Sequence, residues 1–399
     1  MLLLNVMGFY FAVFIILIAI GFSLILLKIF NNYHFSVSAN RFIILEGLRG
    51  YLAIAVFIHH SAVWYFYLHI GKWTETSSNF YNNLGQASVA LFFMITAFLF
   101  FNKLLGAKNK KIDWYRLYIS RILRIFPLQI FVSIVTIIII LFITKFTINE
   151  SLFNFIKNCL KFLQFKLPII NSVDSGLIES GVTWTLRWER SFYLSLPFFA
   201  FFLGLNVSLI WFLIIAILSI NTTFRDYNFF LCFLGGIIAS YIIKYNLFAK
   251  LFNKFIFGFF AIICLIFELL YFKTSYYFIA LIPLLIFFIA VISDNLLLLR
   301  IFSSKFSQFL STISYSIYLL HGIVLFTIFK FLIGFELLRL FSPLQYWLVI
   351  GAGMMIIIST SSITYYFIEL PFLKLAKSKD LYKPKFIKYL SFSKIKKKL

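Results

Sequence analysis

Charge is what this chain has least of. Only 12% of its 399 residues are Asp, Glu, Lys or Arg, where a soluble domain carries about 25%. Too few ionic side chains remain to cover a globular surface, which excludes a water-soluble protein. Acids are scarcer still, 13 against 36 basic residues, leaving a formal charge of +23. In a soluble protein that excess would suggest a nucleic-acid binder, so where the charge sits decides its meaning. Cysteine is equally sparse. Cys159, Cys232 and Cys264 make neither a disulfide framework nor a spaced metal-ligand set, so no metal is expected. Internal repeats, heptads, low-complexity segments and an appended soluble domain are all lacking. The first apolar segment has no basic leader and no small-residue cleavage site, and reads as a retained span, not a signal peptide.

Apolar residues are what the chain has: 62% are hydrophobic and 21% aromatic. A hydrocarbon layer about 30 Å thick takes about 20 apolar residues per helix. On that scale the sequence predicts an all-α polytopic membrane helical bundle of about 11 spans. They fall near 7–27, 48–70, 84–105, 125–143, 191–224, 227–243, 255–272, 274–293, 306–329 and 340–368. The fifth stretch is too long for one helix and breaks at Gly204-Leu205-Asn206 into a hairpin. Residues 1–40 form an extra N-terminal span and loop, 41–375 a membrane domain, and 376–399 a basic tail.

With that topology, 25 of the 36 basic residues and five of the 13 acids fall on one side. The Lys/Arg bias makes this side cytoplasmic, with the N-terminus outside and the C-terminus inside a cytoplasmic membrane. The excess charge therefore reports topology and contact with anionic lipid, and excludes nucleic acid as the partner. The longest external connection, 145–187, contains a stripe of Asn154, Lys157, Asn158, Lys161 and Gln164 among Leu, Ile and Phe. It predicts a helix in the outer interface, either a brace or part of an acceptor site.

Ionisable groups within spans are functional candidates, because hydrocarbon penalises them. Arg49 and His60 stand eleven residues apart on the second span. That is within about 20° of eclipsed, with about 16 Å of rise between them. The spacing puts a guanidinium at the cytoplasmic surface and an imidazole near mid-membrane on one face, past Ala53 and Val56. Such a face suits a ligand with a phosphorylated head and a reactive tip, which is the shape of acyl-coenzyme A. Equally, Arg49 could be a snorkelling helix-end residue and His60 a hydrogen-bonded packing residue. His59 points about 100° away.

These residues also resemble a known family, the acyltransferase 3 membrane proteins that acylate, mostly acetylate, extracellular glycans. Leu45-Glu46-Gly47-Leu48-Arg49-Gly50 followed by His60 is similar to the family's opening, with Glu46 in place of the more usual Asp. Leu91 to Leu99 resembles its phenylalanine-rich signature, with Thr96-Ala97 where Ser-Gly is common. Arg116, Arg121 and Arg124 up to Pro127 resemble its basic turn, and Trp184-Thr185-Leu186 through Glu189 to Tyr193 its tryptophan element. Ile313 to His321 and Tyr366 to Phe372 are similar to its late signatures.

The resemblance implies a ten-span core behind the extra N-terminal span. It implies Arg49 and His60 as the essential pair, and acyl-CoA, typically acetyl-CoA, as a donor arriving from the cytoplasm. Arg121 and Arg124, predicted on the same side as Arg49, would either help hold the coenzyme's phosphates or anchor the helix. Glu189, predicted at the outer end of the fifth span, would either orient His60, bind the glycan acceptor or pair with a neighbouring arginine. His321 would carry a proton or pack, and Glu369 would be structural. Onward transfer of the acyl group would need a partner outside the membrane. A proton-coupled transporter or flippase of a glycan or lipid-linked intermediate is the alternative, and would show pseudo-symmetric halves.

Overall fold

In hydrocarbon every peptide N–H and C=O must find its partner within the chain, and this sequence answers with helices. The computed structural model describes residues 6–29, 42–107, 112–219, 228–247, 254–293 and 295–378. Arg41, Asp226 and the lysine-rich tail after Ser378 lie outside the described residues.

The first four helices are long: α1 (Phe9–Ile29), α2 (Ile43–Ile70), α3 (Asn79–Gly106) and α4 (Trp114–Ile143). A connection follows, containing α5 (Leu152–Lys161), a two-residue antiparallel pair of β1 (Ile169–Ile170) and β2 (Val173–Asp174), and the single turn α6 (Ser175–Ile178). Then come α7 (Trp184–Phe202), α8 (Leu209–Ser219), α9 (Asn228–Lys244), α10 (Phe255–Tyr271) and α11 (Phe278–Ile292). The last group is α12 (Leu296–Phe302), α13 (Lys305–Thr312), α14 (Ser314–Thr327), α15 (Phe335–Arg339), α16 (Pro343–Thr364) and α17 (Leu370–Lys377). Short π-helical segments at Ile328–Ile333 and Tyr365–Glu369 extend α14 and α16.

Local chemistry sets the helix ends. Asp113 accepts the Arg116 amide at 2.9 Å to start α4, Ser342 and Gln345 form a capping box on α16, and Gly71 in a left-handed conformation closes α2.

The structure supports a helical membrane bundle but not the count of eleven spans. Among the described residues six helices are long and apolar enough to cross, or seven if α11 and α12, bent by 80°, act as one. The shortfall is one of length. Stretches that read as 20 apolar residues resolve into helices of 17 residues in α9 and α10 and 11 in α8. Arg187, Glu189 and Arg190 also crowd the first turns of α7. The predicted hairpin break is present, with α7 ending at Phe202 and Gly204 at φ +75° before α8 begins.

Helices α2 and α3 form the centre, α9 packs on α3, α13 and α14 pack on α2, and α16 packs on α14 and α1. A Cβ on Gly47 would run into the carbonyl of Phe302, so glycine is what allows α2 to lie against the α12–α13 corner. On the periphery Phe9, Leu17, Phe142, Leu209, Ile256 and Phe367 are exposed. This is the surface expected of helices facing lipid. Helix α5 buries none of its residues. Its polar stripe turns toward the connection, with Asn158 donating to Glu150 at 3.0 Å and Lys161 to Asn158 at 2.7 Å, while Leu152, Phe153, Ile156 and Leu160 are exposed.

Candidate active site

Five helices converge on one cleft. Arg49 comes from α2, Arg121 and Arg124 from successive turns of α4, Glu189 and Tyr193 from successive turns of α7, and Tyr315 and Tyr318 from α14. Val89, Phe92, Phe93 and Thr96 of α3 close the wall, and the cavity volume within the cleft is about 90 Å³. The stretch from Arg121 to Pro127, expected as a turn, is helical throughout, because α4 begins at Trp114 and not near Ile125. That earlier start puts Arg121 and Arg124 on one helical face.

Positive charge exceeds negative inside this cleft. Arg49 feels Arg124 as a like charge and Glu189 and Glu46 as opposite ones. Glu189 accepts a hydrogen bond from Tyr193 at 3.1 Å, and the Arg121 guanidinium lies 5.2 Å over the Phe100 ring. The Nε atoms of Arg49 and Arg121 are buried with no hydrogen-bond partner among the described residues. Desolvated guanidinium groups with donors to spare favour an anionic ligand, and phosphate fits their geometry.

Glu189 sits here and not beside His60, which corrects the position expected from the sequence. Helix α7 starts at Trp184 and carries Glu189 more than a turn inward, level with the arginines.

His60 lies eleven residues, about three helical turns, along α2 from Arg49. Its Nδ1 is 3.0 Å from Nε2 of His321 on α14 and 3.2 Å from the Val56 carbonyl oxygen. His321 is fully buried, and its own Nδ1 is 3.1 Å from the Ile317 carbonyl oxygen. The exposed Trp73 ring stacks on His60 at 6.3 Å. His59 turns away, its Nδ1 2.9 Å from the Tyr81 carbonyl oxygen.

Tyr318 bridges the two groups. It lines the arginine cleft and stands one turn before His321, ring centroids 6.2 Å apart. Its hydroxyl is 2.8 Å from that of Thr185 at the head of α7. Tyr318 and Thr185 thus line the arginine cleft, and the Tyr318 ring also touches His321, while neither histidine lines the cleft.

One residue of this region carries no sequence signal. Glu179 follows α6, is fully buried, and accepts a hydrogen bond from Thr136 of α4 at 2.9 Å. Its second oxygen has no partner among the described residues. Burial pushes this carboxyl up to about 7. Its backbone lies against Gly322, where a Cβ would collide with it, and the neighbouring Ser180 is 3.4 Å from the Trp64 indole nitrogen. The 145–187 connection is thereby seated on α2 and α14 next to the histidines. No spacing or motif around Glu179 could have announced this, because its partner is 43 residues away.

Glu369 is buried and hydrogen-bonded by Ser316, which also receives a bond from Thr364 at 3.0 Å. Among the described residues no three His, Cys, Asp or Glu side chains cluster as metal ligands would. No curated protein and no solved structure matches the chain significantly. A family model described as an acyltransferase domain matches residues 42–365.

Proposed function

The chain belongs to the acyltransferase 3 family, and on that premise we propose that it is a membrane O-acyltransferase. It takes an acyl group, acetyl in the first instance, from cytoplasmic acyl-CoA and delivers it to a hydroxyl of a glycan on the outer face of the membrane. The observation that carries this reading is the arrangement of charge and base. Three arginines face one carboxylate at one end of the cleft, and a paired histidine lies about 16 Å further along α2.

In this reading Arg49, Arg121 and Arg124 hold the phosphates of the coenzyme, and the charge excess compensates for desolvating them. The thioester arm passes Tyr318 to reach His60. His60 either abstracts the proton of the acceptor hydroxyl or carries the acyl group transiently. Glu189, bonded to Tyr193, keeps the arginines apart and aimed. The connection 145–187 and its helix α5, whose apolar residues are exposed, flank the outer end, where the glycan arrives.

The test is coenzyme A release in proteoliposomes supplied with acetyl-CoA and a surface glycan. His60→Ala and Arg49→Ala should each abolish release while the protein still inserts and purifies as a single species. A transporter or flippase would release none even as wild type, and full activity of His60→Ala would refute the mechanism.

A further inference from the structure

We propose that His321 is a positioning residue that holds His60 as its Nδ1–H tautomer and leaves His60 Nε2 as the reactive nitrogen. The inference rests on the acyl-transfer reading for its chemistry, but the tautomer follows from the geometry alone.

A carbonyl oxygen can only accept. His321 Nδ1 faces the Ile317 carbonyl at 3.1 Å, so it carries a hydrogen. A neutral imidazole has one N–H, so His321 Nε2 presents a lone pair. That lone pair is 3.0 Å from His60 Nδ1, which must therefore be the donor. The Val56 carbonyl, 3.2 Å from the same atom, makes the same demand independently. A charged His321 would place two N–H groups nose to nose. Among the described residues no carboxylate is hydrogen-bonded to His321, whose neighbours are the rings of Phe57, Tyr318 and His60. With Nδ1 committed, the one lone pair left to His60 is on Nε2, and no hydrogen bond occupies that atom among the described residues.

The step then balances. The acceptor oxygen bonds to the acyl carbon as its proton moves to His60 Nε2. The carbon–sulfur bond breaks, and the same nitrogen returns that proton to the departing thiolate. Hydroxyl plus thioester becomes ester plus free thiol. While His60 is charged, its Nδ1–H keeps donating to His321, so the imidazolium stays oriented without His321 touching substrate.

The test reads the tautomer and the rate separately. In protein labelled with 15N-histidine and reconstituted in bilayers, His60 is assigned by the signal lost in His60→Gln. The expected result is protonated Nδ1 and unprotonated Nε2, and the reverse would overturn the proposal. His321→Leu removes the acceptor and should lower kcat at least about tenfold with KM for acetyl-CoA unchanged, a fraction of the effect of a general base. His321→Gln offers an amide oxygen near the position of Nε2 and should recover most of that loss. Equal loss in the Leu and Gln variants, both still monodisperse, would overturn the proposal. A wild-type protein that releases no coenzyme A would instead defeat the acyl-transfer reading, leaving the tautomer measurement to stand or fall by itself.

Discussion

A guanidinium differs from an ammonium in what it can hold: its planar fork meets a phosphate with two parallel bonds, whereas lysine offers a point charge. Arg49 is the one cleft arginine on the same helix face as His60, and its buried Nε has no protein partner among the described residues. Arg49→Lys keeps the charge and removes the fork. It should raise KM for acetyl-CoA about tenfold, on the order of 1.4 kcal/mol, with a smaller change in kcat. Steady-state kinetics at saturating glycan would check this, and a loss confined to kcat would show that Arg49 acts at the reacting centre and not on the coenzyme. The Arg49 and His60 pair was legible in the sequence because both lie on one helix, where spacing fixes relative position. The partner of His60 was not, because His321 is 261 residues away and only the packing of α14 against α2 joins them. Glu189 was misplaced for a related reason. A few residues' error in where α7 begins turns an outer position into an inner one.

The connection between α4 and α7 behaves as an element in its own right, and one carboxyl couples it to pH. Burial raises Glu179 to about 7 from its usual 4.5, so the folded protein keeps a proton that the unfolded chain has already released. Stability from this group is complete below about 4.5 and is lost as pH rises toward 7, after which both states are ionised and the dependence ends. The slope can reach about 1.4 kcal/mol per pH unit. Glu179→Gln keeps a neutral hydrogen-bonding group against Thr136. Its thermal midpoint should therefore fall less than that of the wild type between pH 5 and pH 7.5, and cleavage of the connection by trypsin at Lys166 should accelerate with pH more in the wild type than in Glu179→Gln. Parallel curves for the two proteins would show that Glu179 does not hold the connection down. The sequence marked this segment by its length and by the stripe on α5, which are local properties. It did not mark Glu179, whose burial depends on three helices that meet it from elsewhere in the chain.

At the scale of the whole molecule, lysine and arginine bias predicts an orientation, and the geometry gives a way to measure it. Arg121 is in the second turn of α4, whereas Asn158 of α5 bonds Glu150, which Asn171 ties to Thr144 at the C-terminal end of α4. If the arginine end faces the cytoplasm, as the proposed donor requires, Cys159 on α5 faces outward. Cys159 is half-buried, and its thiol is pushed up by burial and by nearby Glu150, so its reaction with a maleimide speeds up as rising pH supplies more thiolate. Cys232 is buried, and Cys264 lies within the apolar helix α10. In intact cells a membrane-impermeant maleimide should therefore label Cys159 selectively, and Cys159→Ser should abolish the signal. In inside-out vesicles the same reagent should leave Cys159 unlabelled and instead react with a cysteine introduced at Lys374 near the end of α17. The opposite pattern would invert the bundle. The arginines would then face outward and His60 would lie at the cytoplasmic end, so a phosphorylated donor from the cytoplasm could not be held by the cleft. The orientation measurement thus tests the direction of acyl transfer independently of whether transfer is observed.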